Sequence, residues 1–396
     1  MIRKLVLCLL SSLVLAASLA AADSRAIADG AFDEFIRQDF ANLAKRFSPE
    51  MSAALPLEKL AGVSTFLKQL GALRGGRPVP QTVTVQGMDV FVYTCDFAAT
   101  KMNIVITVNS AGQLAGLQIT PPPAEAPKPG ELVVVTGSIK LPATFSAPQG
   151  PGPFPVIVLV HGSGPNDRDE TVSANAPFKD LAEGLAARGV ATLRYVKRTK
   201  QYPSPVATVK EEVIDDALSA LALARQQPGV DPKRVFLLGH SMGANLAPRV
   251  AQGDPALAGI VMLAGSVRPI MDLAREQLQY LGAPLSMLDT LRAAAPATYW
   301  DDLATYDPVA AARKFQAPIL ILQGERDYQV TMKEFELWRE GLKARQDVTL
   351  KSYPKLNHLF LEGEGKSLPA EYSTPGHIPA YVLDDIAAFV KKPAGK

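Results

Sequence analysis

Val235-Phe-Leu-Leu-Gly-His-Ser-Met-Gly243 is a short apolar run that stops at a serine with glycine two residues before it and two after. A serine hydroxyl can attack a carbonyl only where the backbone turns so sharply between strand and helix that the side chain stands clear of both. A Cβ at Gly239 or Gly243 would collide across such a turn. Upstream, Val235 to Leu238 reads as a buried strand; downstream, Ala244 to Ala251 places Leu246 and Val250 four apart on one helix face. Strand, turn and helix occur in the order of a nucleophile elbow. Ser241 is the expected nucleophile, and the N–H of Met242, at a helix N-terminus, points where an oxyanion would form.

The pattern alone arises by chance too often to decide anything, so its surroundings carry the weight. From about residue 131 to 391, apolar strand-like runs alternate with helical ones: Val156 to Val160, Ala176 to Arg188, Ala191 to Tyr195, Val206 to Arg225, Leu257 to Leu263, Pro318 to Leu322, Thr331 to Ala344 and Val348 to Tyr353. Uninterrupted apolar strands with crossover helices imply a parallel sheet covered on both faces. Over about 268–315 the alternation lapses into helical sequence, which reads as a cap across the strand ends. It carries Leu273, Leu278, Tyr280, Leu281, Met287, Leu288, Leu291 and Trp300, an apolar set suited to a short or medium acyl group.

Ahead of this region, 25–120 reads as a small α+β domain. Helical patterning comes first, then strands near Thr82 to Gln86, Val90 to Phe97, Lys101 to Val108 and Gln113 to Ile119. The Pro-rich stretch 121–130 reads as a stiff linker. Residues 1–22 read as an export signal: Arg3 and Lys4, an apolar run from Leu5 to Ala17, then Ala20-Ala-Ala22 before Asp23. Its removal would leave the mature chain in the periplasm or outside the cell.

Losing Arg3 and Lys4 from 41 basic residues, against 39 acidic ones, makes the mature chain formally neutral. Such a chain has no electrostatic footprint for nucleic acid or an anionic membrane surface, and no stable membrane insertion is expected once the signal is gone. Cys95 would be the remaining cysteine, so no intrachain disulfide can form; in its apolar strand it reads as a buried thiol.

A serine needs an imidazole base, and the base needs a carboxylate to fix its tautomer. Of four histidines, His161 closes an apolar strand and opens His161-Gly-Ser-Gly164, a turn whose backbone N–H groups suit an oxyanion loop. His240 lies inside the elbow, beside Ser241 and diverging from it, and His377 precedes the last helix. His358, in a loop after the run that ends at Tyr353, is the expected base. Asp327, at the end of Pro318-Ile-Leu-Ile-Leu-Gln-Gly-Glu-Arg-Asp327, is the expected acid, with Glu325 its nearest rival and Asp307 reading as a helix cap.

Four motifs in this order, His161-Gly-Ser-Gly with Pro165 to Glu170, Gly239-His-Ser-Met-Gly243, Gly324-Glu-Arg-Asp327 and Asn357-His358, resemble those of the α/β-hydrolase superfamily. Within it, the chain looks like the exported bacterial serine esterases that carry a small N-terminal domain. The resemblance implies a mostly parallel eight-stranded sheet, no metal or organic cofactor, and cleavage of a small-molecule ester through an acyl-enzyme. It also implies that the backbone N–H of Ser163 is the second oxyanion donor. At Val196 and Thr199 the chain departs from the pattern, which has Asp and Gly there.

Asn166 to Glu170 is expected to form a loop with internal ion pairs rather than a cation site. Two other functions stay open on sequence alone: an aminopeptidase using Glu170 to hold a substrate ammonium, and an inert hydrolase fold used for binding. No residue of the N-terminal domain identifies a ligand, and contact with the catalytic domain or with a partner is open to it.

Overall fold

The structure, a computed structural model, describes residues 24–392 except 86, 121, 123–126, 129, 203–205, 207 and 294. The expected signal segment 1–22 and much of the stretch 121–130 lie outside the described residues. Two units are separated at Pro122 and Pro123.

In the first unit, helices over 24–36, Phe40–Ala44, Pro49–Ala54 and Leu57–Leu70 accompany an antiparallel sheet of β1 (Leu73–Arg74), β2 (Gln81–Val85), β3 (Met88–Phe97), β4 (Lys101–Val108) and β5 (Leu114–Thr120). The order is β1-β3-β4-β5, with β2 also on β3. Every second residue of β3 from Phe91, namely Tyr93, Cys95 and Phe97, is buried among Phe32, Phe35, Leu43 and Leu60. The period of two aims one face at the helices. Burial pushes the Cys95 thiol up to about 11, so it persists as the unreactive SH form.

The second unit is built on β6 (Val133–Thr136), β7 (Ile139–Ser146), β8 (Phe154–Val160), β9 (Ala191–Tyr195), β10 (Val230–His240), β11 (Gly259–Leu263), β12 (Ile319–Gly324) and β13 (Val348–Tyr353). They form one eight-stranded sheet in the order β13-β12-β11-β10-β8-β9-β7-β6. The pairings among β8 to β13 are parallel; β7 runs antiparallel to β9, and β6 to β7. The mostly parallel sheet is the one the resemblance implies, and the β6–β7 edge hairpin is an addition that the apolar alternation did not reveal.

Val235 and Leu237 of β10 face a core shared with the helices Asp215–Arg225, Met242–Gly253 and Met332–Leu342. Phe236 and Leu238 face the other core, against Pro177–Ala186 and Ala380–Lys391. Two buried faces explain why the run carries no polar alternation; each such side chain contributes about 1.5–3 kcal/mol. The lapse in alternation is occupied by helices Ile270–Leu281, Met287–Ala293, Ala297–Thr305 and Pro308–Lys314, and Asp307 caps the last by accepting from the N–H of Ala310 at 2.9 Å.

The departures at Val196 and Thr199 leave a well-held turn. Val196 is buried with its N–H on Pro142 O (2.8 Å), and the chain enters a short helix, Arg198–Gln201, whose Arg198 makes two hydrogen bonds to Asp216. Because β8, β10, β12 and β13 run the same way, the loops that follow them meet at one sheet edge, where open α/β sheets build their sites.

Candidate active site

The elbow forms as the glycines require. Ser241 has φ +53° and ψ −114°, a conformation costly for a residue with a Cβ. Its N–H donates to Leu263 O on β11 (2.9 Å), and its carbonyl accepts from Asn245 in the following helix. A Cβ at Gly239 would run into the Gly243 carbonyl, and one at Gly243 into the Val160 carbonyl, so the turn is closed to side chains at both places. Met242 begins the helix, where its N–H has no intrahelical acceptor.

From the end of β12, Asp327 is buried at 4% exposure with both oxygens engaged. Oδ1 accepts from the N–H groups of Gln329 (2.7 Å) and Val330 (3.0 Å). Oδ2 accepts from Gln323 Nε2 (3.2 Å) and lies 2.7 Å from His358 Nδ1. His358, from the loop after β13, thus holds Nδ1 on the carboxylate and lines one cavity with Ser241. Among the described residues no hydrogen bond joins the hydroxyl to the imidazole. Catalytic pairs are often long until substrate tightens them. Glu325, the rival acid, is exposed and accepts from Ser352 Oγ; His377 is exposed against Asp180.

The cavity, about 310 Å³, is lined by Gly162, Ser163, His240, Ser241, Met242 and His358, and by Ile270, Leu273, Leu291, Leu303, Val330, Leu359, Gln277, Gln329, Tyr306 and Tyr372 among others. Of the eight cap residues expected to supply an acyl pocket, only Leu273 and Leu291 line it. Leu281 and Met287 are exposed, and Trp300 packs against the core. Helical periodicity identified the segment but not which face of each helix turns to the cavity.

Comparison with known proteins places the chain in a family. The model of the dienelactone hydrolase family matches residues 141–375. Esterase EstD of Thermotoga maritima is 35% identical over 92% of this chain and 96% of its own. The chain belongs to the dienelactone hydrolase family. A second relative of this family member, the uncharacterized peptidase YtmA of Bacillus subtilis, is 26% identical over 39% of the chain and 59% of its own length. An esterase of Pyrococcus furiosus, at 17% identity, shares the fold with a TM-score of 0.50 over 69% of this chain and 97% of that one.

Two histidines of this dienelactone hydrolase family member have structural surroundings. His161 packs between the rings of Phe178 and Tyr195, and burial lowers its pKa to about 4, so it is neutral at pH 7. His240 Nε2 donates to the carbonyl of His358 (3.0 Å), and its Nδ1 lies 2.9 Å from Glu170 Oε2, off the line of an ideal hydrogen bond, so the contact is chiefly Coulombic. The other oxygen, Oε1, accepts from the Gly162 N–H (2.5 Å). Glu170 is therefore hydrogen-bonded through one oxygen to the Gly162 N–H and ion-paired through the other with the elbow histidine. The ion pairs of its loop run to other segments, Asp169 to Arg194 (2.6 Å) and Arg168 to Glu131 (2.8 Å), and not within the loop as expected.

Burial penalises the His240 imidazolium, yet the Glu170 carboxylate outweighs that and raises its pKa above the ordinary 6.5. For Glu170, burial is likewise outweighed, chiefly by His240 and then by His161 and the Gly162 N–H, and its pKa falls below 4.5. The raised histidine contributes stability below its unfolded pKa and loses it as pH rises through the folded value. The depressed glutamate contributes above its unfolded pKa and loses it as pH falls through the folded value. Both contributions are complete between 4.5 and 6.5. Glu170→Gln should therefore cost most in that window, about 3 kcal/mol, and less on either side. Chemical denaturation of both proteins from pH 4 to pH 9 measures it, and a pH-independent difference would refute the ion pair.

Proposed function

We propose that this chain is a carboxylesterase that works through an acyl-enzyme. Ser241 Oγ attacks the ester carbonyl, His358 takes its proton and then delivers it to the leaving alcohol, and Asp327 fixes the tautomer of His358 and stabilises its imidazolium. The N–H groups of Met242 and Ser163 hold the oxyanion, at about 3 kcal/mol per donor. Water then repeats the sequence on the acyl-enzyme. The observation that carries this reading is the 2.7 Å contact between His358 Nδ1 and the buried Asp327 Oδ2, with His358 lining the same cavity as Ser241 on its strained elbow. The 35% identity to an esterase over nearly the whole chain supports ester as the substrate class.

A cavity of about 310 Å³ lies at the small end for ligand sites and supports short acyl groups. Glu170, the carboxylate lining the cavity, already carries the His240 charge contact and the Gly162 N–H, and Arg268 is neutralised by Glu276 and Glu334. This favours an uncharged substrate over an aminoacyl one. The sequence of 1–22 supports export to the periplasm or beyond.

p-Nitrophenyl acetate and butyrate should be turned over far faster than the decanoate, and aminoacyl nitroanilides not at all. A fluorophosphonate should label Ser241. An unlabelled Ser241 in folded protein, or preferential cleavage of the nitroanilides, would overturn the assignment.

A further inference from the structure

The peptide between Gly162 and Ser163 is gripped from its buried side. Lys197, two residues past β9, is 2% exposed; its Nζ donates to Gly162 O (2.8 Å) and pairs with Glu212 Oε1 (2.7 Å). Glu212 reaches inward from a π-helical turn, Lys210–Ile214, a widening common where a helix serves a functional site. Its second oxygen accepts from Tyr299 Oη (2.6 Å), and that hydroxyl lies 3.6 Å from Met242 Sδ. One buried polar chain thus touches the carbonyl of the peptide that carries the Ser163 N–H and the side chain of Met242, the other proposed donor residue.

The direction of the grip matters. In a trans peptide the C=O and the following N–H point opposite ways. An ammonium fixed on Gly162 O from the protein interior therefore turns the Ser163 N–H outward, to the cavity that Ser163 lines. The same cation polarises the peptide and strengthens that N–H as a donor. A buried ion pair is a weak source of net stability, so energy alone does not account for this one.

We infer that Lys197 is a positioning residue for the oxyanion hole: it holds the Gly162–Ser163 peptide so that the Ser163 N–H meets the developing oxyanion, while Glu212 and Tyr299 hold Lys197 and tie it to Met242. The inference rests on the Ser241 hydrolase reading above.

Two variants test it. Lys197→Met removes the cation. Lys197→Met/Glu212→Leu/Tyr299→Phe removes the whole polar chain and leaves no unpaired buried charge, which protects the fold should the single variant fail. In both, kcat on p-nitrophenyl butyrate should fall about 100-fold with KM within about threefold of wild type. The inhibition constant of a trifluoromethyl ketone, which forms a tetrahedral oxyanion on the serine, should rise by the same factor, while binding of the product butyrate stays unchanged.

A purely structural role would not make the ketone affinity track kcat. A kcat within about threefold of wild type in a folded variant overturns the inference, as does a loss confined to KM or Tm, or unfolding of both variants. Fluorophosphonate labelling of wild-type Ser241 separates the outcomes: with labelling intact only the role of Lys197 falls, and without it the hydrolase reading falls first.

Discussion

Ser241→Ala should lower kcat on p-nitrophenyl butyrate about 10⁶-fold and leave the protein folded. On the proposed mechanism the hydroxyl oxygen becomes the ester oxygen of the acyl-enzyme, and among the described residues the cavity has no second nucleophile on such an elbow. What remains would be the two N–H donors and binding, which sustain only weak catalysis over water. The fold should not suffer, because alanine keeps the Cβ and the hydroxyl makes no hydrogen bond among the described residues.

Ser241→Gly separates chemistry from strain. It should be equally inactive, yet more stable by about 1 kcal/mol, because glycine adopts φ +53° without the steric cost a Cβ imposes. Steady-state kinetics and thermal melts on the three proteins read both effects. Substantial esterase activity in Ser241→Ala, or fluorophosphonate attached to another residue, would move the nucleophile elsewhere.

The elbow was legible because its requirements are local. A run of apolar residues, two glycines and a helical repeat lie within about twenty positions, and each is forced by the same tight turn. Asp327 and His358 were legible for a related reason: Asp327 follows an apolar strand and His358 the strand parallel to it, and parallel strands deliver their following loops to one edge. Helix faces in the cap were not legible. A 3.6 period shows that Leu281 and Met287 belong to helices, but only packing decides that they face solvent while Leu273 and Leu291 face the cavity.

Lys197, Glu212 and Tyr299 illustrate a different limit. Their contacts join residues as far as 87 positions apart, and a lysine, a glutamate and a tyrosine scattered through helices and loops look like ordinary surface chemistry until folding buries them. Glu170 was noticed for its charge, but the partners that occupy it, the Gly162 N–H and His240, come from two other segments. The edge hairpin left a fainter trace. Val133-Val-Val-Thr-Gly-Ser-Ile-Lys140 contains an apolar run broken by Gly137, which has φ +60° at the turn between β6 and β7. A glycine between two β-branched stretches is the signal that would have found it.

Asp327→Asn should reduce kcat about 10⁴-fold with little change in KM, because the substitution reverses the imidazole tautomer. The side-chain oxygen of asparagine must stay toward the N–H groups of Gln329 and Val330, since an NH₂ there would face two donors. The NH₂ then takes the place of Oδ2 and donates to His358 Nδ1, which must give up its proton. The proton moves to Nε2, the nitrogen that should receive it from Ser241, and the base is lost.

The same NH₂ also meets Gln323 Nε2, donor against donor, so a stability loss of about 1–3 kcal/mol accompanies the kinetic one. Glu325→Gln is the matching control: that carboxylate is exposed and bonded to Ser352, and its loss should leave kcat unchanged. Should Asp327→Asn keep kcat within tenfold while Glu325→Gln loses it, the carboxylate of the triad would be Glu325, and the loop after β12 would have to rearrange around the substrate to bring it to His358.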